Sequence, residues 1–400
     1  MLKSMQRDRG AVYDEYRAAW PPRSRGKGVI AEACAVGRCL LAVRIISALL
    51  SQKCGGLSHR VLYIKCVLCW MALGYPIFVY WWLSAFRIFS SEQVNLDCRK
   101  GRTEDIMKNT VFTGAATAIV TPMTKDGVDY EAFGRLIDWQ IDAGIDALVA
   151  VGTTGEGSTL TDEEHKECIK FCVERAAGRV PVIAGTGSND AEYAIGLTKY
   201  ACEVGADAVL LVTPYYNKAT QNGMYRFFSA IADASTVPCI LYNVPSRTGC
   251  NLLPATVARL ADHPNIVGIK EASGNISQIA ELAALVGDKI DIYSGNDDQI
   301  VPILSLGGKG VISVLSNVMP AETSKMCHMF MEGDIAGSRK LQLDLLPLVN
   351  ALFSEVNPIP VKAATSAMGY GENYLRLPLT PMEEAHAEAL YSIMRGHGLI

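Results

Sequence analysis

The residue best placed by type and setting to do chemistry is Lys270. It closes the stretch Asn265-Ile266-Val267-Gly268-Ile269-Lys270-Glu271-Ala272. An apolar run of this length suits a strand buried on both faces, as in a parallel sheet. Burial strips water from the ammonium and favours the neutral amine. A lysine neutralised in this way attacks carbonyl carbons and forms a Schiff base. The competing reading is a structural lysine, paired with Glu271 or Asp298, since ion pairs also perturb pKa values.

Other groups stand at the ends of neighbouring apolar stretches. Gly152-Thr153-Thr154-Gly155-Glu156-Gly157 offers two hydroxyls and several backbone N–H groups. Together they suit a carboxylate, although Gly-Thr-Thr-Gly by itself reads equally as a plain turn. Thr213-Pro214-Tyr215-Tyr216 and Tyr242-Asn243-Val244-Pro245-Ser246-Arg247 follow. The tyrosines can relay protons, and the arginine can grip a second carboxylate in bidentate fashion. A single tyrosine is more often packing than catalysis. Ser294-Gly295-Asn296-Asp297-Asp298 completes the series. No histidine stands at any of these ends, which argues against a Ser-His-Asp hydrolase. No cluster has metal-ligand spacing, which disfavours a metal-dependent aldolase.

The elements that carry these groups alternate between short apolar strands and amphipathic helices. Strands are predicted at Ala115–Val120, Ala147–Val151, Val182–Ala184, Ala208–Val212, Cys239–Tyr242, Ile266–Ile269, Ile290–Tyr293 and Gly310–Val314. Helices are predicted between them, among them Tyr130–Ala143, Asp162–Ala177, Ala191–Val204 and Gln221–Ala234. Thr161 and Glu164 form a capping box, and Gly144, Gly178 and Gly205 stand where helices should stop. Eight such units predict a closed (β/α)8 barrel, an α/β fold with its site at the C-terminal strand ends. An open doubly wound sheet is the alternative, weakened because no strand leads into GxGxxG. The barrel is expected over residues 107–333. A helical addition follows over 334–400, with helices at Asp334–Phe353, Pro360–Met368 and Pro381–Arg395.

The chain has 400 residues, 50% hydrophobic and 20% charged, which places it among folded proteins. A net charge of −4 leaves no nucleic-acid footprint. Twelve cysteines divide evenly about residue 107, and those after it form neither CxxC nor Cys/His clusters. Free thiols are the expected state. Residues 1–106 differ from the rest and hold four of the five tryptophans. Residues 67–86 run without a charge for the length of a membrane span. Three readings compete for this extension: a membrane anchor, a targeting segment, or a stretch foreign to a protein that starts at Met107. The third is favoured, because a complete enzyme pattern begins after Met107 and needs nothing upstream.

Residues 111–400 resemble the dihydrodipicolinate synthase family of class I pyruvate aldolases, a superfamily that includes N-acetylneuraminate lyase. The likeness rests on GTTGE at 152–156, TPYYN at 213–217, YNVPSRTG at 242–249, GIKEASGN at 268–275, NPIPVK at 357–362 and LRLPLTP at 375–381. It implies a lyase that condenses pyruvate with L-aspartate 4-semialdehyde in lysine and diaminopimelate biosynthesis, without metal or cofactor. It implies that Lys270 forms the Schiff base with pyruvate. Tyr242 relays protons through Thr153 to Tyr216, which reaches in from a neighbouring subunit. Thr154 holds the pyruvate carboxylate, and Arg247 the carboxylate of the semialdehyde. Gly295 lines the pocket, and the backbone of Ile312 helps to place the adduct. The family likeness further implies a cytoplasmic homotetramer built of dimers, with membrane contact only if residues 67–86 are a genuine span.

Arg247 separates the siblings, because a sugar-acid lyase such as N-acetylneuraminate lyase resembles the chain elsewhere but typically lacks that arginine. A catalytically inert, membrane-anchored barrel is the alternative of another class. The family's site for inhibition by lysine corresponds here to Gly157, Ser158, Asp162, His165, Asn189, Tyr193 and Tyr215. Tyr193 stands where a glutamate is usual, Asp162 where a histidine is usual and Gly157 where a serine is usual. An ammonium buried without its acidic partner is costly. Weak or absent inhibition by lysine is therefore expected.

Overall fold

The computed structural model describes residues 108–400, and the readings made for residues 1–106 lie outside the described residues. Eight parallel strands close into a barrel: β1 (Gly114–Ala118), β4 (Ala147–Ala150), β5 (Val182–Gly185), β6 (Ala208–Val212), β7 (Cys239–Asn243), β8 (Ile266–Glu271), β9 (Asp291–Ser294) and β10 (Gly310–Ser313). Between β1 and β4 stands a small hairpin that the sequence pattern did not announce, β2 (Met123–Thr124) with β3 (Gly127–Val128). The ring shuts where β1 pairs with both β10 and β4. At that seam Gly114 lies beside Gly310, and a Cβ on Gly310 would fall 1.8 Å from the Gly114 carbonyl oxygen. Only glycine fits there.

Helices α1 (Tyr130–Asp142), α2 (Asp162–Ala176), α3 (Ala191–Glu203), α4 (Gln221–Ala234), α5 (Pro245–Thr248), α6 (Pro254–Leu260), α7 (Ile276–Val286), α8 (Ile300–Ser305) and α9 (Pro320–Met331) connect the strands after the hairpin and follow the last of them. The Thr161 capping box is present, and Gly144, Gly178 and Gly205 all take left-handed φ just past their helices. Three further helices, α10 (Ile335–Leu352), α11 (Ile359–Ala367) and α12 (Glu384–Gly396), form the expected C-terminal addition. Among the described residues no helix is long and apolar enough to cross a membrane. The six described cysteines are free.

Strand side chains divide by period two, as a barrel demands. Leu148, Cys239, Leu241 and Ile269 pack outward with the helices, whereas Ala147, Val149, Ile240 and Tyr242 point into the barrel. Phe112 stacks on Tyr293 at 4.3 Å and accepts that tyrosine's hydroxyl at its carbonyl, which fills the interior beneath the site.

A register shift between β7 and β8 decides where Lys270 points. Cys239 pairs with Ile266, but the next residue, Ile240, pairs with Gly268. Val267 is the extra residue of a bulge, a device that re-aims side chains near sites. Beyond it Ile240 matches Gly268 and Tyr242 matches Lys270, so the lysine takes the inward phase of Tyr242.

Candidate active site

The strand ends enclose a cavity of about 180 Å³. Thr153, Thr154, Tyr242, Arg247, Lys270 and Gly295 all line it. Two of the expected residues do not. Ile312 is fully buried in the barrel's inner cluster, and Val314 lines the cavity instead. Tyr216 is 89% exposed and holds a left-handed φ of 69°. Such a backbone is uncommon for an aromatic residue, and here it leaves the phenol outside the single-chain cavity.

Lys270 is buried, and its Nζ lies 4.5 Å from the Tyr242 ring centroid. Burial lowers its pKa to about 8, with Asp297 pulling upward and Arg247 pushing further down. The two carboxylates named as structural partners of this lysine are turned elsewhere. Glu271 turns to Asn243 and to the Ser273 N–H, the latter at 2.7 Å, and Asp298 is exposed. The carboxylate that acts on Lys270 is Asp297, which is buried and was not singled out in the sequence. Its Oδ2 accepts the N–H groups of Val314 and Leu315 at 3.0 and 2.9 Å, and burial raises its pKa. Gly295 gives the lysine room, since a Cβ there would fall 3.1 Å from Lys270 Cε and 2.7 Å from Ala272 Cβ.

Burial also raises the Tyr242 pKa, offset in part by the Arg247 charge and a hydrogen bond with Thr153. Arg247 projects from α5, whose helix begins at Pro245 and stops at Gly249 with φ 70°. Asn357, from the loop before α11, joins the two expected carboxylate-binding groups. Its Nδ2 donates to Thr154 Oγ1 at 3.0 Å, and its carbonyl accepts from Arg247 Nη2 at 3.2 Å. The sequence motif that holds it, NPIPVK, marked the family likeness but carried no geometric hint of this bridge.

A lowered-pKa lysine, a buried phenol beside it and cationic and hydroxyl groups around one small cavity fit a keto acid. The profile of the Dihydrodipicolinate synthetase family matches residues 111–396. The chain belongs to that family. A 4-hydroxy-tetrahydrodipicolinate synthase of Lachnoclostridium phytofermentans is 59% identical over 292 residues, covering 72% of this chain and 99% of the relative. The chloride-inhibited dihydrodipicolinate synthase from Acinetobacter baumannii, solved in complex with pyruvate, superposes with a TM-score of 0.71 at 46% identity, over 73% of this chain and all of that one. The enzyme from Cyanidioschyzon merolae, solved with lysine bound, gives 0.70 at 40% identity, covering 73% of this chain and 100% of that one. Family membership agrees with the (β/α)8 barrel, and it makes the chain a lyase of the class I aldolase type.

Of the positions expected to correspond to a lysine site, Asp162 touches Tyr193 and Asn189 touches Tyr215. Asp162 pairs with Lys166 at 2.6 Å and hydrogen-bonds the Tyr193 hydroxyl. His165 is buried with Nε2 2.8 Å from the Gly185 carbonyl, and burial lowers its pKa. Asn189 Nδ2 donates to the Tyr215 carbonyl at 3.3 Å.

Proposed function

We infer that Lys270 carries the condensation of pyruvate with L-aspartate 4-semialdehyde to 4-hydroxy-tetrahydrodipicolinate, a step of lysine biosynthesis. The observation that carries this reading is the buried, inward-pointing lysine beside Tyr242 in a cavity whose mouth holds Arg247. The neutral Lys270 amine adds to the pyruvate carbonyl, and loss of water leaves an iminium. Its positive nitrogen acidifies the methyl group, and Tyr242 removes that proton to give an enamine. The enamine carbon attacks the aldehyde, whose oxygen takes up a proton and becomes the hydroxyl. The amino group of the second substrate then attacks the iminium carbon, closes the ring and displaces Lys270.

Thr154 and nearby N–H groups seat the pyruvate carboxylate, and Thr153 links Tyr242 to the proton relay. Arg247 takes the semialdehyde carboxylate by charge-assisted hydrogen bonds. A sugar acid presents hydroxyls at that place, so the arginine favours the synthase over a sugar-acid lyase. Tyr216, exposed in one chain, completes the relay of a second copy, which makes a homotetramer of dimers the expected working form. Gly295 keeps the lysine's path open, and the backbone near Ile312 and Val314 supports the adduct. The catalytic unit is residues 107–400, with the barrel over 107–333, and it works in the cytoplasm. The purified chain should form product from pyruvate and aspartate semialdehyde and should not cleave N-acetylneuraminate; the reverse preference would overturn the assignment.

A further inference from the structure

We propose that the buried ion pair between Glu156 and Lys362 is a positioning device for the reaction, fixing the Gly152–Gly157 turn so that Thr153 and Thr154 stand correctly over Lys270. The inference rests on the roles given above to those two threonines.

The pair joins the catalytic end of the barrel to the C-terminal addition. Glu156 lies in the turn after β4, and Lys362 lies in α11. Their side chains are 0% and 2% exposed. The second carboxylate oxygen of Glu156 accepts the Arg376 N–H at 3.4 Å, so both oxygens are held by the C-terminal segment. Two charges taken out of water are costly, and apolar pairs often replace them without loss of stability. Stability alone therefore does not explain the pair.

The backbone of the turn supplies an independent reason. Val151 and Glu156 flank the two threonines, and both hold left-handed φ, at 48° and 56°. Strain of this kind persists only where surrounding contacts over-determine it. The turn is coiled tightly: a Cβ on Gly157 would fall 2.5 Å from the Val151 carbonyl oxygen. A turn so wound and so strained needs anchors: the Thr121 hydroxyl donates to the Gly155 carbonyl at 2.8 Å, and the Glu156 carboxylate is the charged anchor. The same C-terminal segment carries Asn357, which bonds Thr154 and accepts from Arg247. Lys362 thus sets α11 against the turn, and α11 sets Asn357 between the two carboxylate sites.

The test is the double variant Glu156→Gln with Lys362→Met, which removes both charges and strands neither. Its thermal midpoint should stay near that of the wild type. Borohydride with saturating pyruvate should still label Lys270, because the nucleophile is untouched. KM for pyruvate should rise and kcat fall, together lowering kcat/KM roughly 10- to 100-fold, the range expected when reacting groups are misplaced by about 1 Å. A folded double variant with wild-type KM and kcat would make the pair purely structural and overturn the inference. If the double variant does not fold, Glu156→Asp decides, since it keeps the charge pair but draws the carboxylate back by one methylene. A raised KM for pyruvate supports the positioning role, and an unchanged KM overturns it. No label on wild-type Lys270 overturns the catalytic reading and this inference with it. A labelled wild type with unchanged variant kinetics overturns the inference alone.

Discussion

Lys270 and Tyr242 face each other as register partners on adjacent strands, with the lysine Nζ 4.5 Å from the centre of the tyrosine ring. The pairing depends on the bulge at Val267, which shifts β8 by one residue against β7. Without that extra residue the lysine would take the phase of Ile269 and face the helices, because a one-residue slip exchanges the two faces of a strand.

The pH dependence of adduct formation follows from the lysine's surroundings. The neutral amine is the nucleophile, and a pKa of about 8 leaves roughly a tenth of it neutral at pH 7, against about one part in 3000 for an ordinary lysine. The rate of adduct formation at low pyruvate should therefore rise with pH through a midpoint near 8. Asp297→Asn removes a negative charge that favours the ammonium, so its midpoint should move down. Arg247→Ala removes a positive charge and should move it up. Midpoints that stay together near the ordinary lysine value would mean the burial effect is absent.

Arg247→Ala should damage handling of the semialdehyde far more than capture of pyruvate. Loss of a charge-assisted contact costs roughly 1.5–3 kcal/mol, or about 10- to 100-fold in kcat/KM for the semialdehyde. Steady-state kinetics with each substrate varied in turn separates the two steps. Equal losses for both would assign Arg247 to the Asn357 bridge alone.

Much of the barrel was legible because its strands are short, apolar and bounded by turn residues. Ala147–Val151 and Cys239–Tyr242 read as strands from the sequence, and both end within a residue of that reading. The lysine and Tyr242 were legible because a charge or a phenol closing an apolar run is unusual, and Arg247 because it is a lone cation in the turn that follows Tyr242. The bulge was not, since Val267 continues the apolar run and its extra place appears only in the pairing. Nor was Asn357, which lies 203 residues from Thr154 along the chain. Asp297 and Asp298 are neighbours of the same type, and burial alone tells them apart. The β2–β3 hairpin was missed because its strands are two residues each.

Inhibition by lysine should be weak or absent. Tyr193 cannot supply a negative partner for an incoming ammonium. Asp162, the nearest substitute, is already engaged by Lys166 and the Tyr193 hydroxyl. Titration of lysine against the purified enzyme tests this directly. Half-inhibition in the sub-millimolar range would show that Asp162 or another acid has taken over the role.

Residues 107–400 should suffice for activity. The family profile spans 111–396, and the Lachnoclostridium relative is matched over 99% of its length by 292 residues of this chain. A chain beginning at Met107 is expected to purify in soluble form with the kcat and KM of the full protein. An insoluble or inactive truncation beside an active full-length protein would assign a role to the first 106 residues.

The most direct measurement is reductive trapping. Incubation of the protein with pyruvate and borohydride, followed by peptide mass analysis, should place one reduced pyruvyl group on the peptide that contains Lys270, and Lys270→Ala should abolish it. A pyruvyl mass on another lysine, or on none, would contradict the account.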